Sequence, residues 1–127
     1  PGLSENVRVR SIVDRYLEHS RIFAFDNGGD QEVWLASADW MTRNLTRRVE
    51  LMCPLFDKNT KTAVLNILHM ILADNVKARI LLPSGNYELF KNGEPPLRSQ
   101  FHAWDISSWK PYVPPAALGH STPSPNL

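Results

Sequence analysis

Cysteine is nearly missing from this sequence: Cys53 is the single one among 127 residues, so no disulfide can form within the chain. That lack points to a reducing compartment. Long apolar runs are missing too. None approaches the roughly 18 residues that a membrane-spanning helix requires, and no signal peptide is expected. The expected location is therefore the cytoplasm, with association to a membrane surface left open. Neither sign of charge prevails, with 14 Lys and Arg against 13 Asp and Glu for a net charge of +1. That balance is uninformative about partners, because the arginines are clustered rather than numerous; no nucleic-acid partner is expected. CxxC, HExxH, a glycine-rich phosphate loop and a nucleophile elbow are all missing, so metal and nucleotide-loop chemistries of those kinds have no carrier here.

What is present is one domain's worth of chain, long enough for a core. It opens on Pro1 with residues that read as the middle of a domain, which leads us to expect a piece of a longer protein. Val7 and Val9 alternate with Arg8 and Arg10 ahead of Ile12 and Val13, which predicts a strand over 7–13. Residues 21–25 are aromatic and β-branched beyond Arg21, predicting a strand buried on both faces. Asp26-Asn27-Gly28-Gly29-Asp30 predicts a turn, since Asn and Gly accept positive φ, and residues 32–36 return as the partner strand. Asp39 is a plausible N-cap for a short helix through Arg43 and Asn44, and 49–55 reads as a further strand.

Asn59 or Thr60 can cap a helix running to about Ala73, with Val64, Leu65, Ile67, Leu68, Ile71 and Leu72 on one broad face. Strands over 76–82 and 87–90 flank a Pro83-Ser84-Gly85-Asn86 turn, and 99–104 is a short helical turn. From Pro111 onward the chain carries five of its ten prolines and almost no charge, so 105–127 reads as a disordered tail. The expected fold class is α/β, a mixed β-sheet with flanking helices.

The predicted hairpin brings its two ends together, and chemistry-bearing residues sit at both. His19 and Arg21 lie two residues apart at one end, Ser37 and Asp39 at the other, and Glu50 follows thirteen residues after Ser37. In a strand, residues two apart share a face. Histidine holds or delivers a proton near neutral pH, while arginine offers a fixed fork of donors that matches phosphate. The combination points to phosphoryl chemistry. Each residue also has a plainer reading. His19 alone would be a surface or structural histidine, and Arg21 could pair with Glu18 or Asp39. Ser37 could make a turn, and Glu50 could be a strand-edge carboxylate rather than an acceptor that orients an imidazole. Arg43, Arg47 and Arg48 form a basic cluster, either a solvated face or the lining of a polyanion path, and Arg8, Arg10 and Arg15 are weighed the same way. His69 sits among apolar helix residues as a packed or surface histidine, and His102 and His120 carry no partner pattern.

The stretch from Pro1 through Arg15, running on into Leu17-Glu18-His19-Ser20-Arg21, closely resembles the last domain of bacterial polyphosphate kinase. Asn27-Gly28-Gly29-Asp30, Ser37-Ala38-Asp39-Trp40-Met41 with Arg43-Asn44, and Arg48-Val49-Glu50 share that resemblance, which covers about residues 1–104. The resemblance implies a phospholipase D-like domain, here the second and N-terminally incomplete one, whose signature is H-x-K, S-x-N and a downstream Glu. His19-Ser20-Arg21, Ser37-Ala38-Asp39 and Glu50 stand at those places, with Arg for Lys and Asp for Asn. Both departures fit the kinase branch rather than a plain phosphodiesterase.

The resemblance further implies a polyphosphate kinase that moves the terminal phosphate of ATP reversibly onto polyphosphate through a phosphohistidine, with Mg2+. The attacking histidine would lie in a preceding domain. His19 and Glu50 would be catalytic, and Arg21, Ser37, Asp39, Arg43 and Arg47 phosphate-binding. ATP or ADP, polyphosphate, the other domains of the polypeptide and further copies in a homo-oligomer would be the partners, and the isolated chain would be inactive. Two other classes remain open: a phospholipase D-like phosphodiesterase pairing two copies of His19, and a non-catalytic polyanion-binding module.

Overall fold

The computed structural model describes residues 2–103. Its elements run β1 (Arg10–Ile12), β2 (Ile22–Phe25), β3 (Glu32–Ala36), α1 (Thr42–Arg47), β4 (Met52–Pro54), α2 (Lys58–Leu72), β5 (Ala78–Leu81), β6 (Tyr87–Leu89) and α3 (Ser99–His102). The α/β class holds, but the single mixed sheet does not. Two three-stranded sheets form instead, ordered β1-β5-β6 and β2-β3-β4, and every strand pair is antiparallel. The reason is local. β2–β3 and β5–β6 are joined by tight turns, which permit only antiparallel neighbours, while β1 pairs across the chain with β5, Ser11 opposite Arg79.

The turn between β2 and β3 is the one the sequence demands. Asn27 (φ 46°), Gly28 (φ 67°) and Gly29 (φ 98°) all occupy positive φ, where glycine carries no steric cost and asparagine little. Ile22 then faces Leu35 and Ala24 faces Val33. Val33 is 1% exposed and forms the apolar core with Met70 and Ala78. Ile22 and Phe23 are half-buried while Ala24 and Phe25 are exposed, so burial of β2 on both faces along its length is not found.

α2 begins two or three residues earlier than expected. Its N-cap is Asp57, whose carboxylate accepts from Thr60 N–H at 2.8 Å, a charged cap displacing the Asn59 and Thr60 alternatives. The helix turns Met70 into the core, half-buries Val64, Leu65, Leu68 and Ile71, and contacts β2, β3 and α3, while Ile67 and Leu72 remain exposed.

Polar groups bind the second sheet to the rest. Asp74, fully buried just past α2, accepts Val76 N–H (3.0 Å), Lys77 N–H (2.7 Å) and Ala78 N–H (3.2 Å) on Oδ1, and Ser99 N–H (2.8 Å) and Oγ–H (2.9 Å) on Oδ2. The strand expected from 76 starts instead at Ala78, the last of the three amides that Asp74 Oδ1 gathers. Asp14 accepts from Arg98 Nε at 2.8 Å, tying the chain after β1 to the start of α3, and the Arg98 guanidinium lies over the Phe101 ring at 4.1 Å. Arg10 donates to the Leu72 carbonyl and stacks on Phe90 at 3.9 Å, so at least this one of the three N-terminal arginines serves packing. Trp104 and the tail expected over 105–127 lie outside the described residues, as does His120.

Candidate active site

Glu18 shapes the entry to the hairpin. Its Oε1 accepts His19 N–H (3.0 Å), Ser20 N–H (3.1 Å) and Ser20 Oγ–H (2.7 Å). With those amides taken, His19 stands just outside β2, and the pairing of β2 with β3 reaches only to Arg21, whose carbonyl accepts Ala36 N–H at 3.0 Å. His19 and Arg21 are thus joined through the turn rather than along a strand face, and Arg21 Nη1 donates to the His19 carbonyl at 3.4 Å.

Across the hairpin, Arg21 Nε donates to Asp39 Oδ1 at 2.7 Å, in a partly exposed ion pair. Asp39 is therefore not the cap of α1. Met41 takes that position without a side-chain bond, because an arginine offers Asp39 a stronger, charge-assisted partner than a helix amide does. The Arg21 hydrogen bond holds the Asp39 carboxyl below its usual range, with the charges of Arg21, His19 and Arg43 adding to the effect.

Ser37 follows β3 immediately. Its N–H donates to the Leu51 carbonyl (3.0 Å) and its Oγ accepts Leu51 N–H (3.0 Å), which lashes it to the approach of β4. The Ser37 hydroxyl proton is given to Glu50 Oε2, and the other oxygen, Oε1, accepts from Asn44 Nδ2 at 2.7 Å. Those two bonds hold the Glu50 carboxyl below its usual range, and the charges of Arg48 and Arg21 add to them. Glu50 is thus bonded to Ser37 and Asn44, while the charge of His19 bears on Asp39 and Glu18. A carboxylate has roughly four acceptor directions, so Glu50 keeps one free on each oxygen.

The structure brings His19, Arg21, Ser37, Asp39 and Glu50 to one open hairpin end, with Arg43 acting on Asp39 and Arg48 on Glu50. Arg47, the last residue of α1, enters neither set of interactions. Sequence reasoning gave Asn44 no role, although a polar residue turned inward from a short helix was a signal that it could have used. Among the described residues no group of three or more His, Cys, Asp or Glu is arranged to hold a metal ion, and no helix is long and apolar enough to cross a membrane.

These features define an α/β domain that displays one histidine, several arginines and two bonded carboxylates in a single exposed cluster. The chain belongs to the family described as polyphosphate kinase C-terminal domain 2, which it matches over residues 1–100. It is 48% identical over 110 residues to a polyphosphate kinase of Halalkalibacterium halodurans, covering 85% of this chain and 16% of that protein. To that of Escherichia coli it is 54% identical over 80 residues, 63% of this chain and 12% of that protein. The crystal structure of polyphosphate kinase from Porphyromonas gingivalis superposes with a TM-score of 0.74 at 44% identity, covering 82% of this chain and 16% of that one. The chain thus spans 16% or less of the length of these relatives.

Proposed function

We propose that this chain supplies one half of a polyphosphate kinase site, in which ATP's terminal phosphate is passed through a phosphohistidine of another domain to polyphosphate, reversibly. Residues 1–104 then belong to the second phospholipase D-like domain, of which they form an N-terminally incomplete part. The observation that carries the reading is the convergence of His19, the Arg21–Asp39 pair at 2.7 Å and the Ser37–Glu50 pair at adjacent hairpin ends, in a chain of this family. His19 handles a proton or stabilises the phosphoryl group in flight. Arg21 uses Nε on Asp39 and offers its terminal nitrogens to phosphate oxygens, and Arg43 and Arg47 line the polyanion's path. Ser37 must turn its hydroxyl away from Glu50 to donate to phosphate, so its part in binding is conditional on that rotation.

Mg2+ belongs to this reading as a shield for phosphate charge, but the described residues do not fit a protein site for it. Among them no group of three or more His, Cys, Asp or Glu is arranged to hold a metal ion, and Arg21, Ser37 and Asn44 already occupy part of the acceptor capacity of Asp39 and Glu50. Magnesium is commonly held through substrate phosphates with only one or two carboxylates, and no step here is routed through it. ATP or ADP, polyphosphate, the remaining domains and further copies of the polypeptide are the partners.

The test is His19→Ala in a polypeptide of the relatives' length that carries this chain. Transfer from ATP to polyphosphate should fall by about 100-fold or more with an unchanged melt, because His19 is exposed. The chain alone, given ATP, Mg2+ and polyphosphate, should turn nothing over. A full rate in His19→Ala refutes the assignment.

A further inference from the structure

Asn44 is the one buried residue of α1, 5% exposed, on a helix whose other residues face outward. An inward position on a short helix is where an apolar side chain ordinarily anchors it. An amide there needs partners for both its ends. Only one end has any. Nδ2 donates to Glu50 at 2.7 Å, whereas the buried Oδ1 has no partner. Turning the amide over would set its oxygen against the Glu50 carboxylate, so Glu50 alone dictates the orientation. Packing does not explain the choice either, since leucine would fill similar space without stranding a buried acceptor.

We propose that Asn44 is a positioning residue of the site: from inside α1 its amide, together with the Ser37 hydroxyl, fixes the Glu50 carboxylate. The inference rests on the reading of Glu50 as part of the kinase site. Ser37 and Asn44 hold one oxygen each, which sets the plane of the carboxylate and aims its two free acceptor directions. Without Asn44, Oε1 is released and the carboxylate can rotate about its remaining bond to Ser37. Charge follows geometry here. The Asn44 hydrogen bond is one of the two that favour ionised Glu50, so a carboxylate at position 44 should make Glu50 harder to ionise.

The experiment uses the full-length kinase polypeptide with Asn44→Leu and Asn44→Asp, reading kcat, KM for ATP, the pH profile and a thermal melt. Asn44→Leu should lower kcat about 10- to 100-fold, the scale seen when a supporting partner is removed, with KM changed by less than about threefold. Asn44→Asp should move the acid limb of the profile upward by about one pH unit. A structural tie alone cannot produce that shift. Normal kcat in Asn44→Leu with an unmoved acid limb in Asn44→Asp overturns the inference. So does a loss of activity that merely tracks a collapsed melt in both variants. Glu50→Gln and His19→Ala run alongside separate the two ideas. If both are silent, the kinase reading of the cluster fails and Asn44 falls with it. If both are crippled while the Asn44 variants are normal, only Asn44 loses its role.

Discussion

Replacing Asp74 by alanine should loosen the junction between α2, β5 and α3 more than any surface change. Five donors lose their acceptor: the amides of Val76, Lys77 and Ala78, and the amide and hydroxyl of Ser99. The first two can turn to water, because Val76 and Lys77 are half-buried. The amides of Ala78 and Ser99 sit on buried residues, and an unpaired buried donor costs about 1–3 kcal/mol, so the two together cost about 2–6 kcal/mol. Relief from desolvating the carboxylate offsets part of this. Burial pushes the Asp74 carboxyl up, yet the bonds from Lys77, Ser99 and Val76 outweigh it and keep the group below its usual range. The carboxylate is thus the favoured form despite burial, and a net loss of about 2 kcal/mol is expected once the offset is taken from the range above.

Against a typical total of about 5–15 kcal/mol, that is a large fraction. Native-state hydrogen exchange followed at the Ala78 and Ser99 amides reads it locally, and exchange there should quicken by about 30-fold or more. Asp74→Asn keeps one acceptor oxygen and should fall between. Exchange within about threefold of the parent at both amides in Asp74→Ala would refute the claim that this carboxylate holds the junction.

Arg21→Lys should weaken the binding of phosphate substrate in the full-length enzyme, because lysine cannot grip Asp39 and a phosphate together as a planar fork can. Arg21→Ala should do more harm, and kcat and KM at two salt concentrations decide it, unchanged values in Arg21→Ala marking a solvated arginine. In acid, the carboxyls of Asp14, Asp39, Glu50 and Asp74 are all held below their ordinary values, so each binds its proton more weakly folded than unfolded. Their stabilisation should be complete above the ordinary carboxylate range, about pH 4–5, and drain away as pH falls through the depressed folded values. A urea midpoint that is level from neutral to pH 5 and drops below pH 4 is the expected outcome.

The sequence made the β2–β3 hairpin legible because its determinants are local: Asn27, Gly28 and Gly29 force the turn, and the flanking apolar pattern supplies the strands. α2 was legible for the same reason, as a long run of helical periodicity. What local pattern could not disclose is competition for partners. Asp39 reads as a helix cap until Arg21, eighteen residues back, claims it. The 76–82 strand looks continuous, yet it starts at Ala78, the last of the three amides that the Asp74 carboxylate gathers. β1 gave no sign of joining β5 rather than the hairpin, because antiparallel pairing across such a separation leaves no periodicity behind. In the site, His19, Arg21, Ser37, Asp39 and Glu50 were readable as a group of residue types. Asn44 was not, since its inward orientation depends on how α1 sits.

The whole candidate site falls between Glu18 and Glu50, on one hairpin, one short helix and the approach to β4. The second sheet is closed by contacts of another order, such as Asp14 to Arg98, 84 residues apart. Closing short loops costs little entropy and long ones more. The reactive cluster can therefore assemble from its own neighbourhood in the chain before the ends meet. It is a self-contained reading frame of structure, in which a substitution far along the sequence alters how firmly the unit is seated without rewriting its internal geometry.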